Sequence, residues 1–254
     1  MISKNQSKLL RALQRKKYRR EYRQFLVEGE KSVLELLASG WPLVQLFASE
    51  DFLQKYASLV AGFPEKITQA TANELTQAGT LASNQSALAI AKIPEEKPLI
   101  PASGEWLLAL DQINDPGNLG TILRIADWYG ISKVICSPAT ADLYNPKVIA
   151  ASKGSFLRVQ VSYQHLEPFL QTLPGKNPVL GAFLEGESIH QLQLADPDQG
   201  GVLVMGSEAQ GISPGVAALI TRKITIPAFG QAESLNVGVA TAIICDNLKR
   251  LAKA

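Results

Sequence analysis

Asn118 and Arg124, Glu208, and Ser234 with Asn236 are the side chains on which chemistry can be built here: two amides, a guanidinium, a carboxylate and a hydroxyl, all strong hydrogen-bonding groups. Asn118 and Arg124 stand six residues apart in DPGNLGTILRIADWYG, nearly two helical turns, and both side chains are expected at the sheet's carboxyl edge. A plainer role is also open to them, with Asn118 capping the helix and Arg124 pairing with Asp127. Glu208 lies just beyond the apolar run Val202 to Met205 and Gly206, and a carboxylate at the mouth of a buried sheet needs a partner. Ser234 occupies the position of an N-cap ahead of the apolar face Val237, Ala240, Ile243 and Ile244, with Asn236 in the first turn. In the functional alternative, hydroxyl, amide and free backbone N–H groups face one crevice.

Those side chains need elements to hold them. Val202 to Met205 read as a strand buried on both faces, and Gly206 permits a backbone approach that a Cβ would block. Residues 224–226 repeat the pattern and Pro227 stops it. Two strand ends and a helix start therefore converge, where open α/β sheets keep their ligands. Upstream, the pattern predicts strands at 106–110, 133–136, 156–161 and 178–183, with helices at 121–129, 147–151 and 166–173. Strand and helix in alternation predict a parallel sheet covered on both faces.

Residues 3–23 predict a basic helix with a narrow apolar stripe of Leu9, Leu10 and Leu13. A small α/β unit follows, with strands at 25–27, 43–48, 66–68 and 88–93, helices at 32–38 and 51–60, and a third helix capped by Thr71. The stretch IPEEKPLIPASGE carries the clearest composition shift. It divides the chain into a first domain of residues 1–95, a linker at 96–104 and a second domain of residues 105–254.

With 254 residues, 46% of them hydrophobic, the chain can bury a sizeable core. Its formal charge of +2 hides an asymmetry: residues 1–23 hold nine Lys or Arg against Glu21 alone, leaving 25 − 9 = 16 basic and 23 − 1 = 22 acidic residues elsewhere. Such a segregated basic segment points to a polyanion such as nucleic acid, with Arg15, Lys16, Lys17, Arg19 and Arg20 as candidate contacts and Tyr18 and Tyr22 interleaved; a solvated helix face is the plainer alternative. Cys136 and Cys245 support neither a disulfide framework nor a zinc site, and no metal is expected. No run approaches a membrane span, and the N-terminus lacks the apolar stretch of a secretory signal, so a mature, cytoplasmic protein is expected. His165 and His190 fall outside every motif, and Trp106 and Trp128, in apolar periodic segments, are expected to pack in the core. Neither G-x-G-x-x-G after a strand nor G-x-x-x-x-G-K-[ST] is present, which argues against a dehydrogenase or a nucleotide triphosphatase.

DPGNLGTILRIADWYG, VLVMGSEAQGIS and ITIPAFGQAESLNVGVATAI resemble, in order, the three motifs of the SpoU (TrmH-like) family of RNA ribose 2′-O-methyltransferases. NPKVIAASKGSFLRVQV resembles the segment between the first two, and FLVEGEKSV the start of the small RNA-binding domain found in many members. The resemblance implies an α/β fold whose C-terminal parallel-sheet domain carries a deep trefoil knot, a small α/β RNA-binding domain before it, and S-adenosylmethionine as methyl donor. It also implies a homodimer with the arginine facing the partner's cofactor. The family pattern carries over to Asn118, Arg124, Glu208, Ser234 and Asn236 as catalytic residues. Gly206, Ile226 and Leu235 would bind the cofactor through backbone groups, with Ala182 nearby. A guanidinium rarely gives up its proton, so Arg124 is expected to hold the phosphate beside the target ribose, with Asn118, Ser234 and Asn236 orienting the hydroxyl. Glu208 would fix the arginine or order the loop. A non-catalytic RNA-binding or ribosome-assembly protein is the alternative, and a small-molecule transferase would leave the basic segment unexplained.

Overall fold

A computed structural model describes residues 1–102, 104–173, 177–194, 196 and 200–251. Ser103 of the expected linker and residues 252–254 of the second domain lie outside the described residues. The chain forms two compact units: residues 1–95 with 142–157, and residues 96–141 with 158–254.

In the first unit, helices α1 (Lys4–Leu13) and α2 (Lys16–Tyr22) lead into β1 (Gln24–Glu28), α3 (Glu30–Ala38) and β2 (Leu43–Ala48). Helices α4 (Glu50–Lys55) and α5 (Ala57–Val60), strand β3 (Ile67–Gln69), α6 (Ala72–Ala78) and β4 (Ala87–Lys92) follow. The sheet order is β1-β4-β2-β3, with β4 antiparallel to both neighbours and β2 parallel to β3. Thr71 caps α6 as expected, in a reciprocal capping box with Glu74.

The expected single helix over residues 3–23 is two. Arg15 adopts extended backbone between them, and Arg19 turns inward until only 2% of it is exposed. Its guanidinium donates to the Leu13 and Gln14 carbonyls at 3.0 and 2.8 Å and to Asp142 Oδ2 from Nε at 3.0 Å. Arg19 is therefore a structural residue and not the RNA contact expected: carbonyls left over at the end of α1 and a carboxylate distant in sequence claim its donors.

Asp142 belongs to a segment expected in the second domain. Residues 142–157, including α8 (Pro146–Ser152), pack into the first unit because the buried Phe25 of β1 meets both Tyr144, with ring centroids 4.7 Å apart, and Phe156, at 6.0 Å. Aromatic contacts outweigh sequence neighbourhood here, so the second domain is not the continuous span 105–254.

The second unit is built on β5 (Trp106–Asp111), α7 (Pro116–Trp128), β6 (Lys133–Cys136), β7 (Gln160–Tyr163) and α9 (Leu166–Gln171). It continues with β8 (Val179–Ser188), β9 (Gly201–Gly206), α10 (Pro214–Ala217), β10 (Arg222–Thr225) and α11 (Val237–Leu251). All six strands run parallel in the order β10-β8-β9-β5-β6-β7, as the alternating pattern predicts. The chain runs outward from β5 through β6 to β7 on one side, while β9 lies on the other. That reversal opens a crevice at the carboxyl ends of β5 and β9, where Asp111 pairs with Gly206.

Candidate functional site

Helix α7 starts earlier than its apolar pattern suggests, because Pro116 suits a first turn and the Asp115 side chain accepts from the Asn118 N–H at 2.8 Å. Asp115, not Asn118, is the cap, which frees the Asn118 amide. Helix α11 begins immediately after Asn236, whose Oδ1 accepts from the N–H groups of Gly238 at 3.0 Å and Val239 at 3.3 Å. The expected cap Ser234 lies two residues too early and is exposed.

These two helix starts meet at Glu208. Asn236 Nδ2 donates to Asn118 Oδ1 at 2.9 Å and to Glu208 Oε1 at 2.8 Å, and the Val237 N–H donates to the same carboxylate oxygen at 3.3 Å. Both amide protons and the oxygen of Asn236 are thus committed within the protein. Asn236 thereby ties Asn118, Glu208 and the start of α11 together. Asn118 accepts through its oxygen, and among the described residues neither its Nδ2 nor Glu208 Oε2 forms a hydrogen bond within the protein. Glu208 is bonded to the start of α11, and among the described residues it forms no ion pair or hydrogen bond with Arg124.

Gly206 carries this arrangement. The loop after β9 closes through paired backbone bonds between Ser207 and Gly211, at 3.1 and 2.8 Å, and folds back over Gly206. A Cβ on Gly206 would lie 2.2 Å from the Gly211 carbonyl carbon. The absence of a side chain therefore sets where Glu208 stands.

Arg124 is exposed one turn beyond Thr121, which packs against Gly238 of α11. The alternative pairing with Asp127 is not made, since Asp127 is held by Arg158 at 2.8 Å. Among the described residues no ion pair or hydrogen bond engages the Arg124 guanidinium, and it remains available to an anion.

Ala182 sits in β8 one residue after Gly181, the last pair of β8 with β9. Ile226 follows β10, and Leu235 precedes Asn236. Among the described residues the backbone groups of Ile226 and Leu235 have no backbone partner. Free main-chain donors and acceptors, a glycine and a small alanine at parallel strand ends suit a ligand read through backbone groups, as S-adenosylmethionine would be.

Trp106 is buried as expected, but Trp128 is 83% exposed, because it ends α7 on the side away from the sheet. Burial pushes the Cys245 thiol up to about 12 and raises that of Cys136 further, so both remain inert core groups. Among the described residues, no cluster of His, Cys, Asp or Glu could hold a metal ion, and no helix is long and apolar enough to cross a membrane. Lys4, Lys8 and Arg11 are exposed on one face of α1, a spacing readable in the sequence.

Because Asn236 serves both as cap and as bridge, Asn236→Ala is expected to cost about 1–2 kcal/mol, lowering Tm by roughly 2–8 °C. Ser234→Ala should leave Tm unchanged. Thermal unfolding followed by circular dichroism separates the two.

Residues 105–246 match the model of the SpoU rRNA Methylase family, and residues 4–89 match that of an MRM3-like substrate binding domain. Over 250 residues, 97% of each chain, the sequence is 30% identical to the 23S rRNA (guanosine(2553)-2′-O)-methyltransferase RlmP of Bacillus subtilis. A putative RNA methyltransferase of the TrmH family from Porphyromonas gingivalis superposes with a TM-score of 0.85 at 37% identity, covering 98% of this chain and 99% of that one. The AdoMet-bound rRNA methyltransferase from Sinorhizobium meliloti gives a TM-score of 0.86 at 28% identity, with 98% and 97% covered.

Proposed function

This chain belongs to the SpoU rRNA methylase family, and from that premise we propose that it transfers a methyl group from S-adenosylmethionine to a ribose 2′-hydroxyl of ribosomal or transfer RNA. The observation that carries the reading is the meeting of Asn118, Glu208 and Asn236 at the carboxyl edge of a parallel sheet, with Arg124 farther along the same helix as Asn118 and, among the described residues, unpaired. A non-catalytic RNA-binding role would not need that arrangement.

Bound S-adenosylmethionine supplies a methyl carbon on a positively charged sulfur, which an aligned hydroxyl displaces in line as it loses its proton. In this reading Gly206, Ile226 and Leu235 hold that donor through their main chain, with Ala182 leaving it room. Arg124 grips the phosphate next to the target ribose with its fork of donors. Asn118 Nδ2 and the Ser234 hydroxyl orient the 2′-hydroxyl, while Asn236 and Glu208 keep Asn118 and the start of α11 in register.

Residues 1–95 form the RNA substrate domain in this reading, with Arg15, Lys16, Lys17 and Arg20, all exposed, toward RNA. The second unit is the methyltransferase domain, knotted through its C-terminal strands and helix and working as a homodimer in the cytoplasm. Exposed Trp128 on α7 and Val239 on α11, two helices packed on each other, support a partner surface there.

Arg124→Lys tests the phosphate grip. A lysine is a point charge without the fork, so single-turnover methyl transfer to ribosomal RNA from labelled donor should fall about tenfold or more. Near-normal transfer would overturn the role given to Arg124.

A further inference from the structure

We propose that α1 carries a second RNA contact, a row of Lys4, Lys8 and Arg11 that follows the phosphate backbone; this rests on the reading above that RNA is the substrate. The three cations fall at i, i+4 and i+7 and share one helix face, opposite the fully buried Leu10 and Leu13. Along the helix they span roughly 10 Å, with steps of about 4–6 Å. Together with Ile2 and Ser7 they line an open groove of about 410 Å³.

Charge makes the groove specific to an anion. Helix α1 contains no acidic residue, and all three cations are exposed. Among the described residues none of them forms an ion pair. The nearby carboxylate of Glu74 is occupied, accepting from the backbone N–H groups of Ile2 at 3.0 Å and Thr71 at 2.9 Å. These bonds also fix the start of α1 and so the direction of the row. A groove with three unpaired cations and a serine hydroxyl, and no aromatic platform among its lining residues, suits phosphates and not base edges.

The inward turn of Arg19 separates this row from the α2 cations. Because α1 ends at Leu13 and Arg15 is extended, α2 does not continue the face of α1. RNA would then be held at two separate places on the first unit, and neutralising one leaves the other working.

The test is the salt dependence of RNA binding by the full chain carrying Lys4→Gln, Lys8→Gln and Arg11→Gln, against transcripts of large-subunit ribosomal RNA and of a transfer RNA. Each phosphate contact contributes roughly 0.7 to the slope of log K against log salt for a single strand, so losing three should flatten it by about 2. Affinity should fall tenfold or more at moderate salt, similarly on both transcripts, while the thermal shift given by S-adenosylmethionine stays as in the wild type. An unchanged slope and affinity in a variant of normal Tm would overturn the α1 contact alone. Wild-type protein that is shifted by S-adenosylmethionine but binds neither transcript would instead overturn the RNA reading, and this inference with it.

Discussion

Gly206→Ala is expected to cut methyl transfer about a hundredfold, because displacing a catalytic constellation by an ångström has that order of effect. The methyl group it adds would sit 2.2 Å from the Gly211 carbonyl carbon, 2.3 Å from the Ile212 nitrogen and 2.4 Å from the Gly211 oxygen. All three are main-chain atoms, so no side chain can swing aside and the loop itself must move. The loop carries Glu208, and with it go the bonds that hold Asn236 and the start of α11. Overpacking of this kind also costs roughly 1–3 kcal/mol, a fall in Tm of about 2–12 °C. Gly230→Ala is the control: nothing lies within 4 Å of a Cβ built there, and transfer and Tm should both stay close to wild type. Transfer by Gly206→Ala within a fewfold of wild type would mean that the loop does not set the site.

Arg19→Ala is expected to lower stability by about 3 kcal/mol, which for a chain of this size moves Tm by roughly 6–12 °C. The substitution leaves Asp142, only 17% exposed, without its cation and strips the Leu13 and Gln14 carbonyls of their donor. If the ion pair is the source, the double variant Arg19→Ala/Asp142→Ala should lose less than the sum of the two single losses. Additive losses would assign the effect to the carbonyl caps. Salt dependence of RNA binding by folded Arg19→Ala should match the wild type, since the guanidinium does not face solvent.

Much of the fold was legible because it is local. Apolar runs placed β5, β6 and β9 to within a residue, and the order of strands and helices gave the parallel sheet. Glu208 and Asn118 were legible as candidates from their place after strand ends, and Gly206 from its type. The failures share a cause, namely partners distant in the chain. Nothing near Arg19 announces that Asp142 will bind it, and a basic helix reads the same whether one cation points in or out. Ser234 and Asn236 both suit an N-cap by type, and only the position of Glu208 decides for Asn236. Trp128 is a different case: it lies nine residues after Leu119, on the helix face opposite Leu119, Ile122, Leu123 and Ala126, so its exposure follows from the spacing itself. Strand β10 starts at Arg222, two residues before the apolar run that marks it, and changes register against β8 between Lys223 and Ile224.

The docking of Tyr144 and Phe156 on Phe25 bears on how the polypeptide matures. While the ribosome is still making the first part of the parallel sheet, the amino-terminal half of the molecule already exists but lacks two of the rings that close its core. It can finish only after the later segment emerges, so the two halves mature interleaved and not one after the other. A gene fragment stopped at residue 95 would release an unfinished body with Phe25 uncovered, although sequence matching draws a module edge close to that point.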